Sequence, residues 1–391
     1  LGVFFNPMTA TAILLMSTLM IHRAFSLPTW SGLTLPKAAP RINVRVGRSF
    51  STRRTNIVMM PEGPEVRTLV DQLQPAVGLR LVDFKFLSGR YVNHGRPKGF
   101  EDFAKTMTSK ASIQERQDME EDGNAGECIE DTDVVKTLNC KGKFIYLVLD
   151  QGKGIHDTES TNDFQRSIWI TLGMTGQFVK EEDIAKPKPL ASNSDRARSG
   201  PRWYMELLDT QTKQSRKIYY RDTRNFGHLT FCLSASELND KLESLGPDLL
   251  DFENTTEEVF LAAMEKSTQK RNICKFLMDQ GKIAGVGNYI LAEGLYRSRL
   301  DPFAELSEIS IVQRQRLFKE LREVASTSYQ AQGLTRPDGG TYRDFDGSRG
   351  EFEFQLQCYG QTLSPNNFPV MKEVNGPHGR TIWFVEDEQL F

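Results

Sequence analysis

Three features of this 391-residue sequence predict an α+β fold. A short amphipathic helix opens the globular part, alternating apolar runs fill the stretch after it, and from Ser234 the apolar spacing changes to that of helices. Strands gathered in one half and helices in the other imply antiparallel sheets beside a helical region, not a parallel α/β sheet. The first helix is read from Val66, Leu69, Val70 and Leu73, which fall at i, i+3, i+4 and i+7, and it ends near Pro75. Leu81–Leu87, Phe144–Leu149, Ile168–Leu172, Tyr204–Leu208 and His228–Cys232 alternate as half-buried strands do and are assigned to an antiparallel β-sandwich. Polar stretches 101–133 and 181–201 interrupt them and read as surface insertions or disordered loops. Helices are expected over 235–244, 256–265, 268–280, 289–299 and 308–330. The tail, 351–391, returns to strand-like aromatic runs (EFEFQLQCYG and RTIWFVED) around a Gly-, Pro- and Asn-rich turn, which predicts a small terminal hairpin.

The expected organisation is therefore a leader over 1–60, a β-rich domain over 61–233, a helical domain over 234–332 and a terminal region over 333–391. Residues 1–60 contain no Asp or Glu and seven basic residues, and the apolar run ATAILLMSTLMI at 10–21 is too short to span a bilayer comfortably. Such a segment reads as a targeting presequence. The Ala24-Phe25 step between its apolar and basic parts resembles the junction of bipartite plastid presequences. A mitochondrial presequence and non-coding sequence ahead of the true start are the alternatives, and the opening Leu1 keeps the last one open. The organelle is expected to be the plastid before the mitochondrion, with the nucleus open to a product that starts at Met60.

The net charge of −2 conceals an uneven distribution. Stretch 101–135 holds eleven acids against Lys105, Lys110 and Arg116, and the rest of the chain after residue 60 is near neutral. Overall charge therefore neither requires nor excludes a basic face for nucleic acid. Cys128, Cys140, Cys232, Cys274 and Cys358 stand far apart with no CxxC pair, which argues against a disulfide framework and against a cysteine zinc site. No metal and no cofactor are expected.

The densest local signal is Met60-Pro61-Glu62-Gly63-Pro64-Glu65-Val66. Taken by itself it is a helix start with proline near the first turn. With four further matches in order, the sequence resembles the formamidopyrimidine-DNA glycosylase (Fpg/Nei) family, whose mature chains begin PE-x-PEV. Lys143 in GKFIYLVL resembles the family's hairpin lysine, and Asp222-Thr223-Arg224-Asn225-Phe226-Gly227 resembles its DPRRFG-type loop. Lys275 through Gly285-Val286-Gly287-Asn288 is similar to its helix–two-turns–helix element. Gly379-Arg380-Thr381 stands where its C-terminal finger carries an arginine.

The resemblance implies a nucleophilic Pro61 and an acid/base role for Glu62. It implies a phosphate contact at Lys143, with a possible share in proton transfer, and further DNA contacts at Lys275, Asn288 and Arg380. Met174, Arg224 and Phe226 resemble the set that fills the gap left by an extruded base. Physical chemistry supports the first assignment: an α-amine with a reference pKa of about 7.7–8 is partly neutral near pH 7, whereas a lysine near 10.4 is not. Bland alternatives stand beside these readings. Glu62 suits a helix dipole, Lys141 competes with Lys143, and Met174 and Phe226 suit a core. Gly285 and Gly287 allow backbone N–H groups to converge on phosphate, with Asn288 capping the next helix. Asn225 replaces a second arginine common in bacterial members. Cys358 stands alone where those members place four cysteines, so the finger resembles the zincless type, with packed Phe368, Trp383 and Phe384 in place of metal.

The expected activity is that of a bifunctional glycosylase/AP lyase of base excision repair acting on duplex DNA with oxidised bases or abasic sites, as a monomer and away from membranes. A damaged-DNA-binding protein without catalysis is the alternative if Pro61 is never exposed. Arg224, Phe226 and Met174 lean toward oxidised purines, and the zincless finger toward oxidised pyrimidines.

Overall fold

Helix α1 (Gly63–Gln72) carries Pro64 in its first turn, where a missing N–H costs nothing, and buries Val66, Leu69, Val70 and Leu73. The computed structural model describes residues 61–107, 132–150, 163–184, 200–334, 345–346 and 355–389, all within one compact unit, Asn56–Phe391. The expected leader, most of the acidic stretch, Cys128 and the beginning of the EFEF run lie outside the described residues.

Strands β1 (Arg80–Phe86), β2 (Val135–Lys141), β3 (Phe144–Leu149), β4 (Phe164–Thr171), β5 (Gly176–Lys180), β6 (Pro201–Leu208), β7 (Ser215–Asp222) and β8 (His228–Ser234) form two antiparallel sheets. Their orders are β1–β6–β7–β5 and β2–β3–β4–β8. The chain crosses between sheets at β1–β2, β4–β5 and β7–β8, and the loops of the last two crossings, 172–175 and 223–227, meet at one end of the sandwich. Between the sheets lie the inward-facing residues: Trp203 stacks on Tyr220 at 4.8 Å, and Phe84 lies 5.0 Å from Trp203.

Short helices α2 (Arg90–Asn93), α3 (Phe100–Lys105) and α4 (Glu181–Ile184) decorate the sandwich. Helix α3 corrects the expectation of a loop at the start of the acidic stretch. Phe103 is fully buried against Phe231, at 4.9 Å between ring centres, and that contact outweighs the surrounding charge.

Helices α5 (Ala235–Glu243), α6 (Glu257–Glu265), α7 (Ile273–Met278), α8 (Asn288–Ser298) and α9 (Ile311–Gln330) form a second core around Phe260, Phe276, Leu291 and Leu321. The helix expected over 268–280 shrinks to α7 because Asn272 caps it, accepting the Cys274 N–H at 2.8 Å. Strands β9 (Met371–Glu373) and β10 (Ile382–Phe384) pair as the terminal hairpin, followed by α10 (Glu386–Gln389).

Two expectations for the tail are overturned. Residues 355–360 form turns rather than a strand, because the buried Glu293 carboxylate takes the N–H groups of Gln357, Cys358 and Tyr359 at 2.8–3.1 Å in place of a ladder. Phe368 is exposed, so the packed aromatics are Trp383 on Tyr359 and Phe384 on Phe303. Cys140, Cys232, Cys274 and Cys358 are buried free thiols.

Candidate active site

The start of α1, the β2–β3 turn and the loop before α8 converge on Gly285. The Gly63 N–H donates to the Gly285 carbonyl at 2.9 Å, and a Cβ on Gly142 would lie 2.4 Å from the Gly285 nitrogen. Side chains cannot enter such a junction, which is why glycine meets glycine there. Glu62, next in sequence to Pro61, is thereby held against the N-terminus of α8.

Glu62 is 3% exposed, and its carboxylate accepts the N–H groups of Tyr289 at 3.0 Å and Ile290 at 3.3 Å. It therefore fills the cap of a helix far away in sequence, where the helix dipole favours negative charge. Gly287 makes room for it: a Cβ there would lie 2.2 Å from the Glu62 carboxyl carbon. Burial raises the Glu62 pKa most. The Lys143 charge opposes that, Glu65 adds to it, and the two amides lower it, leaving the group at about 7.

Lys143 stands in the β2–β3 turn and donates from Nζ to the Val286 carbonyl at 2.7 Å. Burial holds its pKa below the usual lysine range, with Arg380 acting in the same sense and Glu62 against it. The turn is fixed by Asp248, which accepts the Gly142 N–H at 2.6 Å.

These contacts revise the expectations for the glycine-rich loop. The Gly285 N–H donates to Gln280 Oε1 at 3.0 Å instead of converging with other amides on a ligand. Asn288 is the first residue of α8 and not its cap. Its Nδ2 donates to the Thr381 carbonyl at 2.9 Å, and its Oδ1 lies 3.0 Å from His378 Nε2, so it ties α8 to the turn that carries the exposed Arg380. Lys275 is exposed on α7, outside this cluster of contacts.

Met174, Arg224 and Phe226 gather in the two crossover loops at the end of the sandwich. Asp222 organises them, accepting the Gly227 N–H at 2.7 Å, the Arg224 N–H at 3.2 Å and the Thr175 hydroxyl. Asn225 adopts φ +56°, a left-handed conformation that asparagine tolerates better than most residues. Phe226 is 47% exposed, with the Arg224 guanidinium 4.8 Å from its ring centre, so it does not belong to the core. Met174 is half-buried.

Several residues of the site escaped the sequence reading. Glu65 accepts the Glu62 N–H at 2.8 Å, the Tyr289 hydroxyl at 3.1 Å and the Leu334 N–H at 2.7 Å. Its spacing of three from Glu62 is a capping-box signal that points to it. Tyr289, Asp248, Gln280 and His378 carry no comparable local signal. Among the described residues no cluster of His, Cys, Asp and Glu is grouped to hold a metal ion, and no helix is long and apolar enough to cross a membrane.

Comparison with known proteins places this geometry in context. The family model for the formamidopyrimidine-DNA glycosylase N-terminal domain matches residues 60–229, and that for the formamidopyrimidine-DNA glycosylase H2TH domain matches 245–337. The chain is 26% identical over 306 residues to the formamidopyrimidine-DNA glycosylase of Solibacter usitatus, covering 78% of this chain and 90% of the relative. It is 33% identical over 181 residues to that of Stenotrophomonas maltophilia, covering 45% of this chain and 63% of the relative. Its fold resembles MutM (Fpg) from Thermus thermophilus, with a TM-score of 0.59 and 24% identity over 84% of this chain and 98% of that one. It also resembles Lactococcus lactis Fpg in complex with abasic-site DNA, with a TM-score of 0.58 and 20% identity over 84% of this chain and all of that one. Two family models that together span more than half the sequence, meeting across the junction that seats Glu62 on α8, show that the chain belongs to the formamidopyrimidine-DNA glycosylase (Fpg/Nei) family.

Proposed function

We propose that the chain, once released at Pro61, is a DNA glycosylase of base excision repair that also cleaves the strand as an AP lyase. The observation that carries this reading is the Glu62 carboxyl, buried beside Pro61, held by two amides of α8 and raised to about 7. A carboxyl so tuned is about half protonated near neutral pH and can both give and take a proton. The adjacent proline supplies an amine that, when free, is partly unprotonated at the same pH.

The chemistry follows from these two groups. The Pro61 nitrogen lone pair forms a bond to the sugar C1′ as the bond from C1′ to the base breaks, and the proton that the attacking nitrogen gives up passes to the departing base. Glu62 protonates the ring oxygen as the sugar opens, which leaves a cationic iminium on Pro61. The iminium acidifies the C2′ hydrogen; its removal expels the 3′ phosphate. Loss of a second proton from C4′ expels the 5′ phosphate, and water then releases the proline. Lys143, its proton affinity lowered by burial and its charge felt by Glu62, is proposed to contact the phosphate at the damaged nucleotide and to share in proton transfer.

DNA would lie along Lys275, Asn288 and Arg380. Arg224, Phe226 and Met174, presented together at the sandwich end, would fill the stack after the base leaves it. The proposed substrates are oxidised bases, with formamidopyrimidines and 8-oxoguanine first, and the C-terminal hairpin is proposed to work as a finger without zinc.

The test is a duplex with one defined lesion, incubated with chains that begin at Pro61 or retain Met60. The first should cut the strand and leave phosphate at both ends of the gap, and the second should not cut. Equal cutting by both would overturn the proline mechanism.

A further inference from the structure

Asn288 uses both ends of its amide on the β9–β10 turn, and this fixes the state of a histidine. The Thr381 carbonyl accepts at 2.9 Å, so the amide NH2 group faces Thr381 and Oδ1 faces His378. An amide oxygen 3.0 Å from His378 Nε2 needs a donor, so Nε2 carries the hydrogen and Nδ1 is left as an acceptor. Nδ1 is buried and has no hydrogen-bond partner among the described residues. An orphaned acceptor costs folding free energy that an apolar side chain of similar size would avoid, so packing alone does not account for a histidine here. Burial and the nearby Arg380 push the ring down to about 4, which keeps it neutral.

We propose that His378 is a positioning residue for DNA, whose Nε2–H fixes the Asn288 amide and locks the turn carrying Arg380 onto the N-terminus of α8. This rests on the DNA-binding reading of Asn288 and Arg380 given above. The turn is shaped by its own backbone, with the Gly376 N–H on the Arg380 carbonyl at 2.9 Å and the Gly379 N–H on the Gly376 carbonyl at 2.8 Å, while β10 after it is buried in the helical core through Ile382, Trp383 and Phe384. Those bonds shape the turn but do not set its register against α8. The lock leaves one Asn288 amide hydrogen available beyond the Thr381 bond, so that Asn288 and Arg380 grip the backbone as a preset pair.

The experiment measures Kd for a duplex with a tetrahydrofuran abasic analogue at fixed salt, on the full chain and on the chain released at Pro61. His378→Leu should weaken binding about tenfold, and His378→Gln, which keeps a donor at similar reach, should remain within about threefold of wild type. Single-turnover cleavage at saturating DNA should fall less than binding does in His378→Leu, because the lesion contact is lost from affinity first. In an Asn288→Ala background His378→Leu should cost nothing more, because the partner is gone. Nitrogen NMR of the unmutated chain without DNA should show the Nε2–H tautomer. Wild-type affinity in His378→Leu, an undiminished loss in the Asn288→Ala background, or an Nδ1–H tautomer would each overturn the lock. A wild-type chain with the expected tautomer but no affinity for duplex would instead overturn the DNA-binding reading, and the proposed role with it.

Discussion

Replacing Glu62 by Gln should abolish strand cleavage and yet make the protein relatively more stable as pH rises. The Glu62 carboxyl titrates from 4.5 to about 7 on folding, and burial is the main cause. A group whose folded pKa is raised contributes stability below its unfolded value and loses it as pH climbs through the folded one, here between about 4.5 and 7. That rise corresponds to about 3 kcal/mol at most. Gln cannot ionise, so it escapes this loss. It offers one acceptor oxygen where the Tyr289 and Ile290 N–H groups need two, a deficit of about 1 kcal/mol that does not change with pH. Urea denaturation of both proteins at pH 5 and pH 8.5 isolates the pH-dependent part. The Gln variant should be slightly less stable than wild type at pH 5 and should gain on it by up to about 3 kcal/mol by pH 8.5. A stability difference that stays constant between the two pH values would refute the raised pKa and the burial argument behind it.

Other perturbations test neighbouring parts of the site. Gly287→Ala would place a Cβ 2.2 Å from the Glu62 carboxyl carbon, so single-turnover cleavage should fall on the order of a hundredfold; near-normal activity would mean that Glu62 need not sit on α8. Glu293→Gln removes the charge behind three backbone N–H bonds and the Oε2 that accepts from Arg297, and should cost about 2 kcal/mol, read as faster proteolysis within 355–389 and weaker DNA binding. Phe226→Ala should slow removal of a damaged base more than cleavage at a ready-made abasic site, because only the first needs a base held out of the stack. A fluorescent protein fused behind residues 1–60 should enter an organelle, the plastid before the mitochondrion; diffuse cytosolic signal would remove the targeting proposal and leave the chemistry untouched.

What the sequence disclosed was local. The α1 periodicity, the strand alternation at 144–149 and the Pro61–Val66 motif each lie within a few neighbouring residues, and local pattern reads them correctly. Strand β7 was missed because SRKIYYRD is charged at both ends, and β2 because a register shift between Val135 and Thr137 breaks the alternation of its apolar positions beside an acidic stretch. Phe103 entered the core from a segment whose composition suggested solvent. The larger gap concerned partners distant in sequence. Glu62 and Asn288 were both singled out, but that Glu62 caps α8 while Asn288 binds the terminal hairpin depends on a junction between Gly63 and Gly285. Those two glycines stand roughly 220 residues apart, a separation that no sequence window reaches. The anchoring of 357–359 by Glu293 is of the same kind, since a buried carboxylate and three turn amides carry no pattern until the fold brings them together.

The central claim is that the free amine of Pro61 forms a covalent bond to the sugar. Borohydride added during reaction of the Pro61-initiated chain with lesion-bearing duplex should capture the iminium as a stable amine, and peptide mass mapping should place the sugar remnant on Pro61. Pro61→Gly should still trap weakly through its primary amine. A remnant mapped to a lysine, or undiminished trapping by a chain that retains Met60, would contradict the account.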